Sequence, residues 1–258
     1  MNISFIGAGN VATHLAKAFI QAGQTIVGVH TRSLASAEAF ANTYHCVNAP
    51  TLAALPESDV YVFAVKDDAL PEVVAHFAEL HRTGLCIHTA GSVALSVFLN
   101  QGIKRCGVFY PMQTFSKDKV LDYTTLPIFL ETAHTDDEVM LEQLALKFTS
   151  KVYHLDSEDR KLLHLAAVFA CNFSNHCFAI AEDLLAKAGL SGELLLPLID
   201  ETCLKLHTMP AIKSQTGPAV RYDQKVMQRQ LALLSEDPLR QAIYRVVSES
   251  IHDFATKQ

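Results

Sequence analysis

The sequence predicts an α/β fold in which a doubly wound parallel sheet is followed by an all-α C-terminal part. Short apolar runs alternate with helical patterns from residue 2 to about 154, and this alternation is typical of a parallel sheet with helices on both faces. After about residue 155 the strand patterns stop and helical periodicity continues alone. We therefore predict two domains, residues 1–154 and 155–258.

Each element of the first domain is predicted from its own local pattern. The strands are nearly continuous hydrophobic runs, such as Val60–Val65, because a parallel sheet is buried on both faces. The predicted strands are 2–6, 25–30, 60–65, 85–88, 106–109, 127–131 and 151–154. The predicted helices are 10–21, 33–43, 69–80 and 136–149.

The second domain is predicted to be a set of helices built on one long apolar helix. This helix covers residues 156–189, with Asp156 or Ser157 as its cap and Gly189 at its end. Its most apolar part is interrupted by histidine, asparagine and serine, which indicates a buried helix and not a membrane span. Further helices are predicted at 193–208, 221–234 and 237–256.

Composition and charge argue against several classes of partner. The 258 residues are 50% hydrophobic and 19% charged, which is typical of a globular protein that needs no disulfide or metal to hold its core. The net charge of −6 argues against nucleic acid and anionic membranes, since both require a basic face. Six cysteines with apolar neighbours and no CxxC motif predict buried, reduced thiols, a cytoplasmic location and no metal site.

A glycine-rich turn after the first strand predicts a dinucleotide-binding Rossmann domain. The turn has the pattern GxGxxA, in which Gly7 allows the sharp turn, Gly9 lets the backbone approach a pyrophosphate and Ala12 keeps the helix close to the sheet. The following helix directs its N-terminal amides at the phosphates. The cofactor contacts predicted here are Gly7, Ala8, Gly9, Asn10 and Val11.

The end of the second strand favours NADP(H) over NAD(H). An NAD site usually has an acidic residue here, whereas this chain has Thr31, Arg32 and Ser33 and no carboxylate before Glu38. Arg32 can bind a 2′-phosphate, and the hydroxyl groups add donors. A hydrogen bond to a charged group contributes about 1.5–3 kcal/mol, so Arg32 alone would favour NADP(H) about 10- to 150-fold.

Later loops are predicted to complete the cofactor and substrate sites. Loops at the carboxyl ends of parallel strands border the ligand crevice, so those after the third and fourth predicted strands should flank the ribose and nicotinamide. The predicted contacts are Val65, Lys66, Thr89 and Gly91. In the next loop, Tyr110 and Gln113 are candidate substrate contacts, and Asp67 and Asp68 are predicted to cap the helix at 69–80.

A polar stripe on the long helix is the candidate for proton transfer. At 100° per residue Lys161, His164, Val168, Asn172 and Asn175 fall within about a quarter of the helix circumference. Histidine is the side chain whose ordinary pKa suits proton donation near neutral pH, and an asparagine can orient a substrate. A purely structural stripe remains the alternative.

Several of these motifs resemble known families. Ile6–Ala12, Thr31–Ser33 and Ala64–Lys66 resemble the N-terminal domain of pyrroline-5-carboxylate reductases and of deazaflavin-dependent NADP reductases. Nearly the full chain resembles bacterial Rossmann-like proteins with a C-terminal helical domain of the DUF2520 type. The stretches that carry this resemblance are His88–Ser92, Tyr110–Phe115, Lys161, His164–Ala167, Asn172, Thr216–Pro218, Arg221 and Asp223.

The resemblance implies the two-domain plan of 6-phosphogluconate dehydrogenase-like proteins and a homodimer formed through the helical domain. It supplies no substrate. Pyrroline-5-carboxylate reductases carry a serine- and glycine-rich loop, where this chain has Thr216–Pro218. The β-hydroxyacid dehydrogenases place an Asn four residues after their Lys, where Lys161 is followed by Leu165, so neither catalytic assignment transfers intact.

Two functions follow as hypotheses. The first is an NADPH-dependent reductase of a small carbonyl or imine compound, with hydride transfer in a cleft between the domains. There, His164 or Lys161 would deliver the proton, Asn172 would orient the substrate and Arg221 would hold a substrate carboxylate. The second is a protein that binds or senses NADP(H) without catalysis.

Overall fold

The computed structural model describes residues 1–117 and 119–257 and divides the chain into two compact units. The first unit, Met1–Asn175, contains all eight strands of a single sheet: β1 Asn2–Ile6, β2 Thr25–His30, β3 Val47–Asn48, β4 Val60–Phe63, β5 Leu85–His88, β6 Cys106–Pro111, β7 Ile128–Thr132 and β8 Val152–His154. Its helices are α1 Asn10–Gln21, α2 Leu34–Tyr44, α3 Leu70–Ala78, α4 Ser96–Leu99, α5 Thr135–Ala145 and α6 Ser157–Ala167. The predicted α/β class is therefore confirmed.

The sheet has the strand order β3-β2-β1-β4-β5-β6-β7-β8, and alternate residues of its central strands face opposite layers. Val60 and Val62 pack under α1, α2 and α5, whereas Tyr61 and Phe63 pack under α3 and α4. The switch between β1 and β4 places the loop after β1 at the crevice of a doubly wound sheet.

The direction of β7 differs from the prediction of a parallel sheet. β7 pairs antiparallel with β6, while every other pair of neighbouring strands is parallel. A parallel neighbour needs a crossover helix, whereas β6 and β7 are joined by a segment whose described part contains a single 3₁₀ turn, Tyr123–Thr125. The two-residue strand β3 was also missed, because it is too short to show a pattern.

The long helix begins at its predicted N-cap residue, Asp156. The Asp156 carboxylate accepts hydrogen bonds from the amides of Glu158 and Asp159 at 3.0 and 2.9 Å. The helix continues as α6, a π-helical segment Val168–Phe173 and α7 Ser174–Lys187. The two units divide at Asn175, inside this helix, whereas the sequence pattern changes near residue 155. The difference arises because α6 packs on the sheet unit.

The second unit begins at His176 and is entirely helical in its described part. Besides the rest of α7 it contains α8 Leu196–Lys205, α9 Ala211–Ser214, α10 Gln224–Ala232 and α11 Pro238–Thr256. Asp223 and Asp237 cap α10 and α11, and Arg240 joins α11 to Asp183 of α7 at 2.5 Å.

The long helix is exposed in the single chain, so the prediction that it is buried was wrong. Its apolar side chains include Leu162, Leu165, Phe169 and Phe173, each at least half exposed. By length and composition, Ser157–Lys187 is one helix of the described chain that could cross a membrane. The prediction of buried cysteines is confirmed for Cys86 and Cys106 and is wrong for the three cysteines beyond residue 170, which are exposed.

Candidate active site

A cleft of about 560 Å³ opens at the carboxyl ends of β1, β2 and β4, where open parallel sheets bind ligands. It is lined by eight of the predicted cofactor residues: Gly7, Ala8, Gly9, Asn10, Thr31, Arg32, Val65 and Lys66. The structure thus brings the glycine turn, the end of β2 and the end of β4 to one place.

The two glycines of the turn have different structural roles. Gly7 has φ +108°, and a Cβ added there would lie 2.2 Å from the carbonyl oxygen of Ala64, so the fold itself requires glycine. Gly9 has an ordinary φ of −79°, and a Cβ there would meet no described atom within 4 Å. This open space at the N-terminus of α1 fits the pyrophosphate of a dinucleotide.

The part of the cleft at the end of β2, where an adenosine would bind, is lined by polar groups. Thr31 and Arg32 both face it, and among the described residues Arg32 forms no ion pair. Ser33 instead caps α2: its hydroxyl accepts from the Ser36 amide at 3.3 Å and from the Ser36 hydroxyl at 3.0 Å. Ser36 lies in the cleft wall where Ser33 was expected.

Three other predicted cofactor residues do not line this cleft. Val11 packs against the core, Thr89 is buried, and Gly91 lies against Tyr110 and His164. The prediction also missed a group of lining residues: His30, Ser36, Leu52, Ala69, Glu72, Val73, His76 and Lys117. Residues 69, 72, 73 and 76 have the spacing of one helix face, so the helical pattern could have identified them.

A second pocket of about 630 Å³ lies in the same unit and brings together four candidate substrate and catalytic residues. These are Tyr110, Gln113, His164 and Asn172. The rest of its described lining is Met112, Thr114, Phe115, Leu163, Ala166, Ala167, Val168, Ala170 and Cys171. Apart from the histidine, these residues carry no ionic side chain, which suits a largely apolar ligand with one polar group.

Tyr110 and His164 form a hydrogen-bonded pair on the wall of this pocket. The Tyr110 hydroxyl lies 3.1 Å from His164 Nδ1, and the rings meet edge to face. Burial, and then the negative charge of Asp67, raise the pKa of the Tyr110 phenol above its ordinary value. The phenol therefore keeps its proton at neutral pH.

Gly91 permits the close approach of these two side chains. A Cβ at position 91 would lie 2.6 Å from His164 Nδ1 and 2.8 Å from Tyr110 Cζ. The neighbouring Ser92 donates a hydrogen bond to the carboxylate of Asp67. Asp67 was predicted to cap a helix, but it lies in a 3₁₀ turn and forms this bond instead.

The π-helical segment changes which residues of the long helix share a face. A π turn bonds i to i+5 and holds more residues than the 3.6 of an α turn, so residues after Val168 are rotated relative to a regular α-helix. Cys171 and Asn172 line the same pocket as His164. Three residues of the predicted stripe, His164, Val168 and Asn172, line this pocket, although the stripe assumed 100° per residue and the π-helical segment departs from that rotation.

Two predicted functional residues lie away from this pocket. Lys161 Nζ is 2.7 Å from Glu158 Oε1 in an exposed pair on the helix surface, so it is not placed to deliver a proton here. Arg221 belongs to the second unit and is exposed. Asn175 is absent from the described lining of the pocket.

Sequence reasoning missed Arg160, a nearly fully buried residue of α6. Its guanidinium forms an ion pair with Glu131 of β7 and donates to the carbonyl oxygen of Val93. Ser157 also donates to Glu131 and accepts from the Leu95 amide at 3.0 Å. This network attaches α6, which carries His164, to the loop that contains Gly91. Among the described residues, no cluster of His, Cys, Asp or Glu could hold a metal ion.

Comparison with known proteins identifies two matched domain families and a similar solved structure. Residues 2–90 match the family described as NADP oxidoreductase, coenzyme F420-dependent, and residues 126–251 match the domain of unknown function DUF2520. A Bacteroides fragilis structure assigned as an NADP oxidoreductase is 42% identical, with a TM-score of 0.91 over 98% of both chains. None of the curated proteins matches this sequence.

More distant structures share the fold. An imine reductase from Myxococcus stipitatus in complex with NADP+ is 18% identical, with a TM-score of 0.66 over 100% of this chain and 93% of that one. A reductive aminase from Aspergillus terreus in complex with NADPH and ethyl levulinate is 16% identical, with a TM-score of 0.74 over 99% and 94%. The cleft geometry, the matched domains and the 42% identity together show that this chain belongs to the NADP oxidoreductases that join a Rossmann domain to a DUF2520 domain, with NADP(H) as cofactor.

Proposed function

We propose that this protein is an NADPH-dependent reductase of a small carbonyl or imine compound. The observation that carries the proposal is the Tyr110–His164 pair, which lines an apolar pocket in the unit that also binds the cofactor. NADPH, when bound, supplies a hydride. The remaining requirement is a proton for the oxygen or nitrogen of the substrate.

Tyr110 is the proton donor in this proposal. Its phenol stays protonated because burial and Asp67 raise its pKa, and Tyr110 is one of the residues that line the pocket. His164 Nδ1, in the tautomer that carries the proton there, donates to the phenol oxygen and stabilises the phenolate as it forms. Asn172 and Gln113 line the same pocket and would orient the substrate.

The substrate class is supported by the imine reductase and the reductive aminase that share this fold, the second of which is in complex with NADPH and ethyl levulinate. A substrate carboxylate is supported by Arg221 alone, which is exposed in the second unit. An Arg221→Ala variant that raised KM for acidic substrates over neutral ones would support it.

The proposed assembly is a cytoplasmic homodimer. Exposed leucines and phenylalanines on the long helix form an apolar face of a kind that monomeric proteins rarely present to water. His164, Asn172, His176, Glu182 and Asp183 interrupt the same helix, so a second copy of the chain suits this face better than a lipid bilayer.

The test is NADPH oxidation with a panel of small ketones, aldehydes and imines. Tyr110→Phe and His164→Asn should each lower kcat by about 10²- to 10⁴-fold and leave the Kd for NADPH unchanged. Tyr153→Phe is the matched control, because Tyr153 is half exposed and lies outside the pocket.

The pH profile tests the identity of the donor. With Tyr110 as donor, kcat/KM stays constant from pH 6 to 9 and falls only above about pH 10, where a phenol ionises. A fall centred near pH 6.5 would indicate that an imidazole supplies the proton. Turnover unaffected by both substitutions would refute the assignment, and no turnover with any compound would favour the non-catalytic alternative.

A further inference from the structure

The cofactor cleft contains a cation from a part of the chain that neither matched family covers. Arg32, Lys66 and Lys117 line the cleft, against a single described carboxylate, Glu72. Arg32 and Lys66 follow β2 and β4, as expected for a Rossmann domain. Lys117 instead lies in the segment after β6, between the residues matched by the two families, 2–90 and 126–251.

The segment before Lys117 is fixed to the first turns of α1. Asn10 Nδ2 donates to the carbonyl oxygen of Phe115 at 2.8 Å, and His14 Nε2 lies 2.8 Å from the carbonyl oxygen of Ser116. The rings of His14 and Phe115 also pack with their centroids 5.1 Å apart. The backbone adjoining Lys117 is therefore attached to the helix whose N-terminus faces the cleft.

His14 is suited to this attachment because it is buried and bonded on both ring nitrogens. A carbonyl oxygen accepts only, so Nε2 donates to Ser116, and Nδ1 lies 3.0 Å from the Tyr123 hydroxyl. The ring thus holds the segment at two points, one on each side of Lys117 in the sequence.

We propose that Lys117 is a further cofactor-binding residue, whose ammonium group pairs with the pyrophosphate of NADP(H), and that His14 positions it. The pyrophosphate belongs at the open space beside Gly9, at the start of α1. Lys117 directly follows Ser116, whose carbonyl oxygen is bonded to His14 of α1. The Lys117 ammonium group therefore adds positive charge to the backbone amides at the start of that helix. This inference depends on cofactor binding and not on the proposed reduction.

The test compares dissociation constants for NADPH and NADH, measured by calorimetry on the full chain. Lys117→Ala should raise both constants by the same factor, about tenfold, because both dinucleotides carry the pyrophosphate. Arg32→Ala should raise only that for NADPH. Lys119→Ala is the matched control, because Lys119 is exposed and outside the cleft lining, and it should change neither.

The role of His14 is tested by a double-mutant cycle. His14→Phe should weaken both dinucleotides, and adding Lys117→Ala to it should cause little further loss, because the two residues act through the same contact. Unchanged affinity in Lys117→Ala, or a loss confined to NADPH, would overturn the pyrophosphate assignment. Fully additive losses would overturn the positioning role, and Lys117→Ala remains decisive if His14→Phe fails to fold.

Discussion

Gly9 and Gly91 show how one residue type serves two purposes in the same unit. A Cβ at Gly9 would enter open space in the cofactor cleft, whereas a Cβ at Gly91 would collide with His164 and Tyr110. The first glycine leaves room for a ligand, and the second lets two side chains meet. Their substitutions should therefore affect different measurable quantities.

We predict that Gly91→Ala lowers kcat at least tenfold with an unchanged Kd for NADPH, because the added methyl separates Tyr110 from His164. Overpacking should also cost about 1–3 kcal/mol in the free energy of unfolding. Gly9→Ala should instead raise the Kd for NADPH and leave thermal stability unchanged. Steady-state kinetics, calorimetry and thermal unfolding measure these effects on kcat, Kd and stability. If both variants lost only kcat, the two glycines would not have the separate roles described here.

At the level of single residues, local motifs predicted the part of the cofactor cleft that lies next to the strands, but not the part contributed by a distant segment. Gly7, Gly9 and Arg32 have fixed spacings to a strand, and the structure places all three in the cleft. Lys117 reaches the same cleft through hydrogen bonds to residues about 100 positions earlier in the chain. No local pattern encodes such a contact, so the sequence could not reveal it.

At the level of elements, α6 is positioned by the buried ion pair of Arg160. The sequence pattern did not distinguish this arginine from the exposed residue next to it. Arg160 and Lys161 are adjacent, yet the Arg160 side chain is 1% exposed and pairs with Glu131, while Lys161 is 42% exposed and pairs with Glu158. The helical pattern placed Lys161 on a polar stripe, but burial of an arginine depends on the distant strand β7.

We predict that Arg160→Met destabilises the protein by about 3–5 kcal/mol, because Glu131 would lose its cationic partner in a largely buried position. Lys161→Met, the matched control on the same helix, should change the free energy of unfolding by less than about 1 kcal/mol and leave kcat/KM unchanged. Urea denaturation measures both. Equal changes in the free energy of unfolding would show that the buried ion pair stabilises the protein no more than the exposed one.

The π-helical segment, the direction of β7 and the short elements β3, α4 and α9 also escaped prediction. Periodicity assumes one constant rotation per residue, and the extra residue per turn in Val168–Phe173 violates that assumption. Strand direction depends on how the connecting segment travels, and apolar runs alone do not record it. The positions of the longer helices and of the other strands, by contrast, follow from local spacing and were predicted to within a few residues.

At the level of the whole molecule, the exposed apolar helix makes the proposed dimer testable. We predict that the protein sediments as a dimer of its 28.3 kDa chain and that Phe169→Glu yields monomers, because a carboxylate cannot be buried in an apolar interface without a partner. Val120→Glu, at a 94% exposed position in a loop, is the control and should leave the dimer intact. A wild-type monomer in sedimentation velocity would refute the dimer.

The buried His88 has a consequence for acid tolerance. It lies at the end of β5, fully enclosed, with Nδ1 accepting from the Ala90 amide at 3.2 Å and no described partner for Nε2. Burial, and then the charge of Arg160, lower the pKa of His88 to about 3, whereas an unfolded histidine has a pKa of about 6.5.

Between about pH 3 and 6.5, His88 binds a proton in the unfolded chain but not in the folded chain. Mild acid should therefore favour unfolding. This contribution to stability is complete above about pH 6.5 and is lost at up to about 1.4 kcal/mol per pH unit as the pH falls towards 3. His88→Asn keeps an acceptor and does not titrate, so its unfolding free energy should decline less steeply from pH 6.5 to 5. Parallel profiles for the two proteins would mean that acid sensitivity originates elsewhere in the chain.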